Sequence, residues 1–284
     1  MDPTIARMEQ DLKDLDRSIH TRTVYVQTVK RFQRHFGRPL QELGVDEVTS
    51  YMRMLVRSPD HSASTCAVYA AALRFVFRVT MQRPEQVAGL RTPRRVRKLP
   101  TVLTAEQVRR CLAVTSSERN RALVMLAYGA GLRIAEATHL QIADIDSANG
   151  VIRVRQGKGR KERLVMLSPV LLAQLRRAYR EQRPEGAWLF PGAEAQMPIT
   201  PRRVRRIWAD IQLRAGLRRH YPFHALRGAF ATDLLDGGVD LRTIGLLLGH
   251  ARMSSTVRYL AVQPSHVAKV VSPLDRLLDR PAIS

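Results

Sequence analysis

The chain has 284 residues, enough for two domains that each bury a core, and no stretch approaches the roughly eighteen apolar residues of a membrane span. Lys and Arg total 47 against 25 Asp and Glu, a formal +22, with Arg far outnumbering Lys. A coding bias would raise Arg without removing acids to this extent, so the excess of permanently charged, forked guanidiniums points to nucleic acid as partner. Cys66 and Cys111 fall inside apolar-patterned helices and read as buried thiols of a reducing compartment. No Cys/His cluster has zinc spacing, so no metal is expected. Met1 to Asp16 alternates acidic and polar groups, unlike a signal peptide, which makes a cytoplasmic location the expectation.

In chain order, Ile5, Met8, Leu12 and Leu15 recur at three- and four-residue spacing and predict a helix over Thr4 to Asp16. A second helix runs from His20-Thr21 to Phe36, where Gly37 ends it and Arg38-Pro39 turns the chain. Asp46 to Leu55 and Ser62 to Val79 supply a third and a fourth. Together these make a small helical bundle, residues 1–90, whose faces carry Arg22, Lys30, Arg31, Arg34, Arg53, Arg74 and Arg78. No helix in it has a strong helix-turn-helix signature. Residues 91–100 hold Arg91, Arg94, Arg95, Arg97 and Lys98 with Pro93 and Pro100, a basic linker suited to track along phosphates or simply to stay solvated.

The second domain, residues 101–284, opens on Thr104 and Gln107 at capping-box spacing. Helices are predicted at Glu106 to Val114 and Arg119 to Tyr128. Gly129-Ala130-Gly131-Leu132-Arg133 then breaks the pattern, and Ile134 to His139 resumes it. The two glycines permit a tight turn that aims Arg133 inward. From Gly150 the period becomes that of strands, Val151 to Val154 and Leu164 to Leu167, flanking Gln156-Gly157-Lys158-Gly159-Arg160-Lys161-Glu162. Helices follow at Pro169 to Gln182, Pro201 to Ala215, His224 to Leu235 and Leu241 to Leu248, and Trp188 to Pro191 is a short apolar docking segment. Arg202, Arg203, Arg205 and Arg206 make the first turns of the Pro201 helix strongly basic. The tail from Pro264 to Leu278 has helical apolar spacing. The fold class is mainly α with a small antiparallel sheet.

Five motifs stand in order: Gly131-Leu132-Arg133-Ile134-Ala135-Glu136, Gly157-Lys158-Gly159-Arg160-Lys161-Glu162-Arg163, His224-Ala225-Leu226-Arg227, Leu247-Leu248-Gly249-His250, and Tyr259 nine residues beyond. This series resembles the tyrosine recombinases (phage-integrase family), most closely the Xer-type and mobile-element branch, over Leu103 to Val262. The resemblance implies a core-binding N-terminal bundle and a catalytic domain that together clamp double-stranded DNA at an inverted-repeat site. It further implies a homotetramer in which the C-terminal helix docks onto a neighbour; packing of the tail in cis fits its apolar stripe equally.

The chemistry attached to these residues follows from attack by a phenol on a phosphodiester. A tyrosine with a pKa of about 10 needs help losing its proton, the non-bridging oxygens need positive partners, and the departing 5′-oxygen needs a proton. Tyr259 is the expected nucleophile, Arg133 and Arg227 the phosphate clamp, and Lys158 the general acid, with Lys161 its rival. His224 accepts the phenol's proton or bonds phosphate, and His250 holds the phosphate from the other side. Glu136 either orients a neighbouring cation or serves as a helix-start carboxylate. Arg94, Arg95, Arg97, Lys98, Arg160, Lys161, Arg202, Arg203, Arg205 and Arg206 are the expected DNA contacts. The sequence shows no Gly-rich phosphate loop and no paired-carboxylate magnesium motif, which agrees with a reaction that needs neither metal nor ATP. The resemblance implies that it runs through a 3′-phosphotyrosine and a Holliday junction. A type IB topoisomerase-like nicking and sealing enzyme, or a non-catalytic DNA-binding relative, is the alternative. One departure from the family pattern is Gly228, where a polar residue usually follows the motif arginine.

Overall fold

The computed structural model describes residues 2–92, 102–155, 162–194 and 196–249. The chain divides into two compact units, residues 1–98 and 99–284.

The described residues of the first unit form helices and their connections. Asp2 caps α1 (Pro3–Asp14), accepting from Thr4 N at 2.8 Å, and Ile5, Met8 and Leu12 turn into the core as their spacing requires. Ser18 caps α2 (Ile19–Phe36), which Gly37 ends in the left-handed conformation at φ 67°. α3 (Val45–Arg57) and α4 (Ala63–Phe75) complete the bundle around Phe32, Leu73 and Phe77. The predicted Ser62 to Val79 helix changes pitch: Val76–Thr80 is a π turn. Its wider winding buries Val76 and Phe77 together and lets the Thr80 hydroxyl donate to Asp11 at 2.6 Å. On the basic surface, Arg31, Arg34, Arg53 and Arg78 are exposed, and Arg22 and Lys30 are half-exposed. Arg74 instead works inside the unit, donating to the Leu90 carbonyl and to Thr92.

In the second unit, α5 (Ala105–Ala113) starts on the expected Thr104/Gln107 capping box. α6 (Glu118–Gly129) and α8 (Pro169–Gln182) pack against each other and sandwich much of the core, including Leu123, Leu126, Leu171 and Leu175. Between them lie the short α7 (Ile134–Thr138) and a three-stranded antiparallel sheet of β1 (Ile145–Asp146), β2 (Val151–Val154) and β3 (Arg163–Met166), in that order. The β2–β3 register pairs Val151 with Met166 and Val154 with Arg163, burying Ile152, Val154 and Val165 while Arg153 and Leu164 face out. β1 goes beyond the two strands that the sequence pattern predicts. The docking segment seats Leu189 and Phe190 in the core, with Trp188 bridged to Gln141.

Three further helices follow among the described residues: α9 (Pro201–Arg214), α10 (His224–Asp236) and α11 (Leu241–Leu248). Trp208 of α9 is fully buried and donates to the Tyr221 carbonyl at 2.8 Å, while Gln212 accepts from Tyr221 N at 2.7 Å. Those two bonds fix the approach to α10. That helix is buried on every side from Leu226 to Thr232, the pattern of a central core helix. Gly228 lies within this buried run, and the Thr232 hydroxyl donates to its carbonyl at 3.1 Å.

Within the described residues no helix is long and apolar enough to cross a membrane.

Candidate active site

Arg133 is delivered by a turn that only glycine serves. Gly131 has φ 64°, and a Cβ there would lie 2.6 Å from the Phe230 ring on α10 and 3.1 Å from Leu248 on α11. The chain therefore presses its backbone against both helices before Leu132 buries and Arg133 starts α7. Of the two glycines that the sequence offers here, Gly131 makes the turn and Gly129 ends α6.

Glu136 sits one turn into α7 and gathers three arginines. Its Oε2 accepts from Arg133 N at 2.7 Å and its Oε1 from Arg133 Nη1 at 2.7 Å. Arg163, the first residue of β3, donates to both carboxylate oxygens, at 2.9 and 2.8 Å. Arg227 Nη1, from α10, lies 3.7 Å from Oε2. The glutamate thus orients cations and caps its own helix at once, uniting the two roles that the sequence left open.

The same three arginines hold the end of α11. Leu247 O accepts from Arg163 Nε at 2.8 Å, Leu248 O from Arg227 Nη2, and Gly249 O from Arg133 Nη2 at 3.4 Å. Three consecutive carbonyls, the negative end of the helix dipole, each meet a different guanidinium. Arg227 also donates to Gly131 O at 2.5 Å, closing the circle back to the Arg133 turn. Gly249 is left-handed at φ 60°, and a Cβ there would lie 3.0 Å from Arg163 Cδ.

Burial sorts the members. The side chains of Arg227 and Glu136 are 1% and 5% exposed, Arg163 is 10% exposed, and Arg133 keeps 25%. Burial by itself pushes the Glu136 carboxyl up. The Arg163 hydrogen bonds, the Arg133 backbone N–H, the charge of Arg163 and the Arg133 guanidinium outweigh it and bring the group down to about 2. Glu136 is therefore ionised at neutral pH, and three guanidiniums against one carboxylate leave a net positive charge of two beside the solvent-facing Arg133. Such a centre suits an oxyanion with two or more acceptor oxygens.

Of the expected site residues, Arg133, Glu136 and Arg227 come together. His224 is exposed at the first position of α10, one turn before Arg227. Arg202, Arg203, Arg205 and Arg206 are all exposed on the first two turns of α9, which has no acidic residue in its first turn. Lys158, Arg160, Lys161, His250, Tyr259, Arg94, Arg95, Arg97, Lys98 and the Pro264 to Leu278 tail lie outside the described residues. Sequence reasoning missed Arg163. Its signal was its place at the end of the Gly157 to Arg163 motif, where no role was attached to it.

Residues 101–266 match the phage integrase family, and residues 5–86 match the phage integrase N-terminal SAM-like domain. Protein y4qK of Sinorhizobium fredii, which carries the name integrase/recombinase, is 40% identical over 99% of this chain and 91% of its own length. Tyrosine recombinase XerA of Thermococcus onnurineus is 34% identical over 85% of this chain and 87% of its own. Among solved structures, a lambda integrase tetramer bound to a Holliday junction shares the fold with a TM-score of 0.72 at 19% identity, over 90% of this chain and 76% of that one.

Proposed function

The chain belongs to the phage integrase family, the tyrosine recombinases, and on that premise we propose that it cuts and rejoins DNA at a specific inverted-repeat site through Tyr259. The phenol oxygen bonds to the scissile phosphorus as the bond to the 5′-oxygen breaks, giving a 3′-phosphotyrosine and a free 5′-hydroxyl. Arg133 and Arg227 hold the non-bridging oxygens as charge builds on them. His224 takes the phenol's proton, Lys158 gives one to the leaving oxygen, and His250 supports the phosphate from the far side. The ester keeps the energy of the broken bond, so a 5′-hydroxyl from the partner site reseals the strand without ATP or metal. Two such exchanges pass through a Holliday junction.

The observation that carries this reading is the gathering of Arg133 and Arg227 on one ionised carboxylate, at the carbonyl end of the helix that leads into His250. Residues 1–90 serve as the core-binding domain, 91–100 as a basic linker and 101–284 as the catalytic domain. The active assembly is a cytoplasmic homotetramer on DNA. The lambda integrase tetramer on its junction is the precedent for that arrangement.

The test is recombination between two copies of the site that the purified protein selects from a DNA library. Reciprocal products and a trapped four-way junction support the proposal. Relaxation of supercoiled plasmid without recombinants would instead mark a nicking and sealing enzyme, and binding without any cut a non-catalytic relative.

The four arginines on α9 allow a second measurement. Cations at a helix start oppose its dipole, which makes them a cost to the fold that DNA contact explains. Arg202→Glu is expected to stabilise the protein by about 0.3–1 kcal/mol. The same change is expected to weaken DNA binding and to reduce the slope of log affinity against log salt by about 0.9 for each phosphate that is no longer neutralised. Thermal melts and a salt titration check both. An unchanged salt slope would remove α9 from the interface.

A further inference from the structure

We propose that Arg163 is a positioning residue for the phosphate clamp: it satisfies Glu136 so that Arg133 and Arg227 keep their charge for the phosphodiester. The inference rests on the reading that those two arginines hold the scissile phosphate, and it adds a third cation to that site.

The carboxylate sets the requirement. Glu136 is 5% exposed and ionised, so it must be matched by cations and hydrogen bonds at all times. A single carboxylate beside two phosphate-binding arginines would draw both into its own ion pairs, and an incoming phosphate would have to compete for them. Arg163 removes that competition. It alone takes the bidentate arrangement, with one donor on each oxygen at 2.9 and 2.8 Å, the strongest geometry open to the pair. Arg133 is left with one side-chain bond to the carboxylate, and Arg227 stands off at 3.7 Å. The charge that remains on the cluster then belongs to the two residues nearest the proposed phosphate position.

Arg163 also fixes where those residues point. Its third donor, Nε, holds the Leu247 carbonyl at 2.8 Å, one residue before the carbonyl that accepts from Arg227 and two before the one that accepts from Arg133. Its aliphatic stem packs at the position that a Cβ on Gly249 would crowd. One side chain on the sheet therefore sets the spacing between α7 and the end of α11, and with it the spacing of the clamp. Lysine cannot replace these three directed donors, although it keeps the charge.

The experiment compares wild type, Arg163→Met and Arg163→Lys on suicide substrates carrying the protein's selected site. Three chemistries are placed at the scissile position: a normal phosphodiester, a methylphosphonate that lacks the non-bridging charge, and a 5′-phosphorothiolate whose sulfur leaves without a proton. On the phosphodiester at saturating DNA, Arg163→Met is expected to slow adduct formation by about 10²-fold. Arg163→Lys should fall between it and wild type, with DNA affinity little changed in both. The defect is expected to shrink to within a few fold on the methylphosphonate and to persist on the phosphorothiolate. A defect of equal size on all three substrates, in variants that melt like wild type, would show that Arg163 does not act through the non-bridging charge and overturn the proposal. Relief on the phosphorothiolate would overturn it too, by placing Arg163 on the leaving-group side. Arg133→Ala and Arg227→Ala serve as controls: if the methylphosphonate fails to relieve these, the clamp reading itself fails, separately from the role given to Arg163.

Discussion

Arg227→Lys is expected to keep most of the stability of the protein and to lose about 10²-fold or more in the rate of DNA cleavage. Arg227→Ala should lose both. The guanidinium is buried, donating to Gly131 O and Leu248 O and facing Glu136, so it ties the turn that delivers Arg133 to the end of α11. Removing it strands two buried carbonyls and leaves a net-charge change in a dry site, worth on the order of 3 kcal/mol or more. A lysine keeps the charge and reaches one carbonyl, yet it cannot span both and also present a fork to two phosphate oxygens. Urea midpoints and single-turnover adduct formation separate the two effects. Full cleavage by Arg227→Lys would show that only the charge at this position matters, against the planar clamp described above.

The second large effect is on stability against pH. Glu136 is held at about 2, well below the usual 4.5 of a glutamate, so the folded state favours its ionised form. A group lowered in this way adds stability that is fully present above its unfolded pKa and is lost as pH falls through the folded one. Glu136→Gln is therefore expected to be less stable than wild type at pH 7 by on the order of 3 kcal/mol. The gap should hold down to about pH 4.5 and narrow steadily toward pH 2. Denaturant melts of both proteins at a series of pH values give the difference directly. A gap that stays constant through this window would mean that the carboxylate contributes through shape and not through charge.

Much of this was written in local signals. The capping pair Thr104 and Gln107, Gly37 after Phe36, and the helices Pro169–Gln182 and Leu241–Leu248 depend on residues within a turn of each other, and the structure has them where the sequence implied. The turn before Arg133 was legible because glycine takes the left-handed backbone angle of Gly131 without strain. Features set by distant partners were not legible. The π turn at Val76–Thr80 is tied to Asp11, 69 residues earlier, and β1 is two residues long. Arg163 looked like one more arginine in a basic chain, because its partners Glu136 and Leu247 lie 27 residues before it and 84 after it. The burial of Arg227 likewise depends on distant partners, for its guanidinium bonds to carbonyls at Gly131, 96 residues before it, and Leu248, 21 after it.

Every role assigned to the arginines presupposes one covalent bond. A nicked substrate that loses its short 5′ fragment on cleavage should trap that bond, and digestion of the adduct followed by mass spectrometry should locate it. The expected result is a single DNA-modified peptide containing Tyr259, attached through the 3′ end of the cut strand, and none with Tyr259→Phe. An adduct on any other residue, or one that survives in Tyr259→Phe, would contradict it.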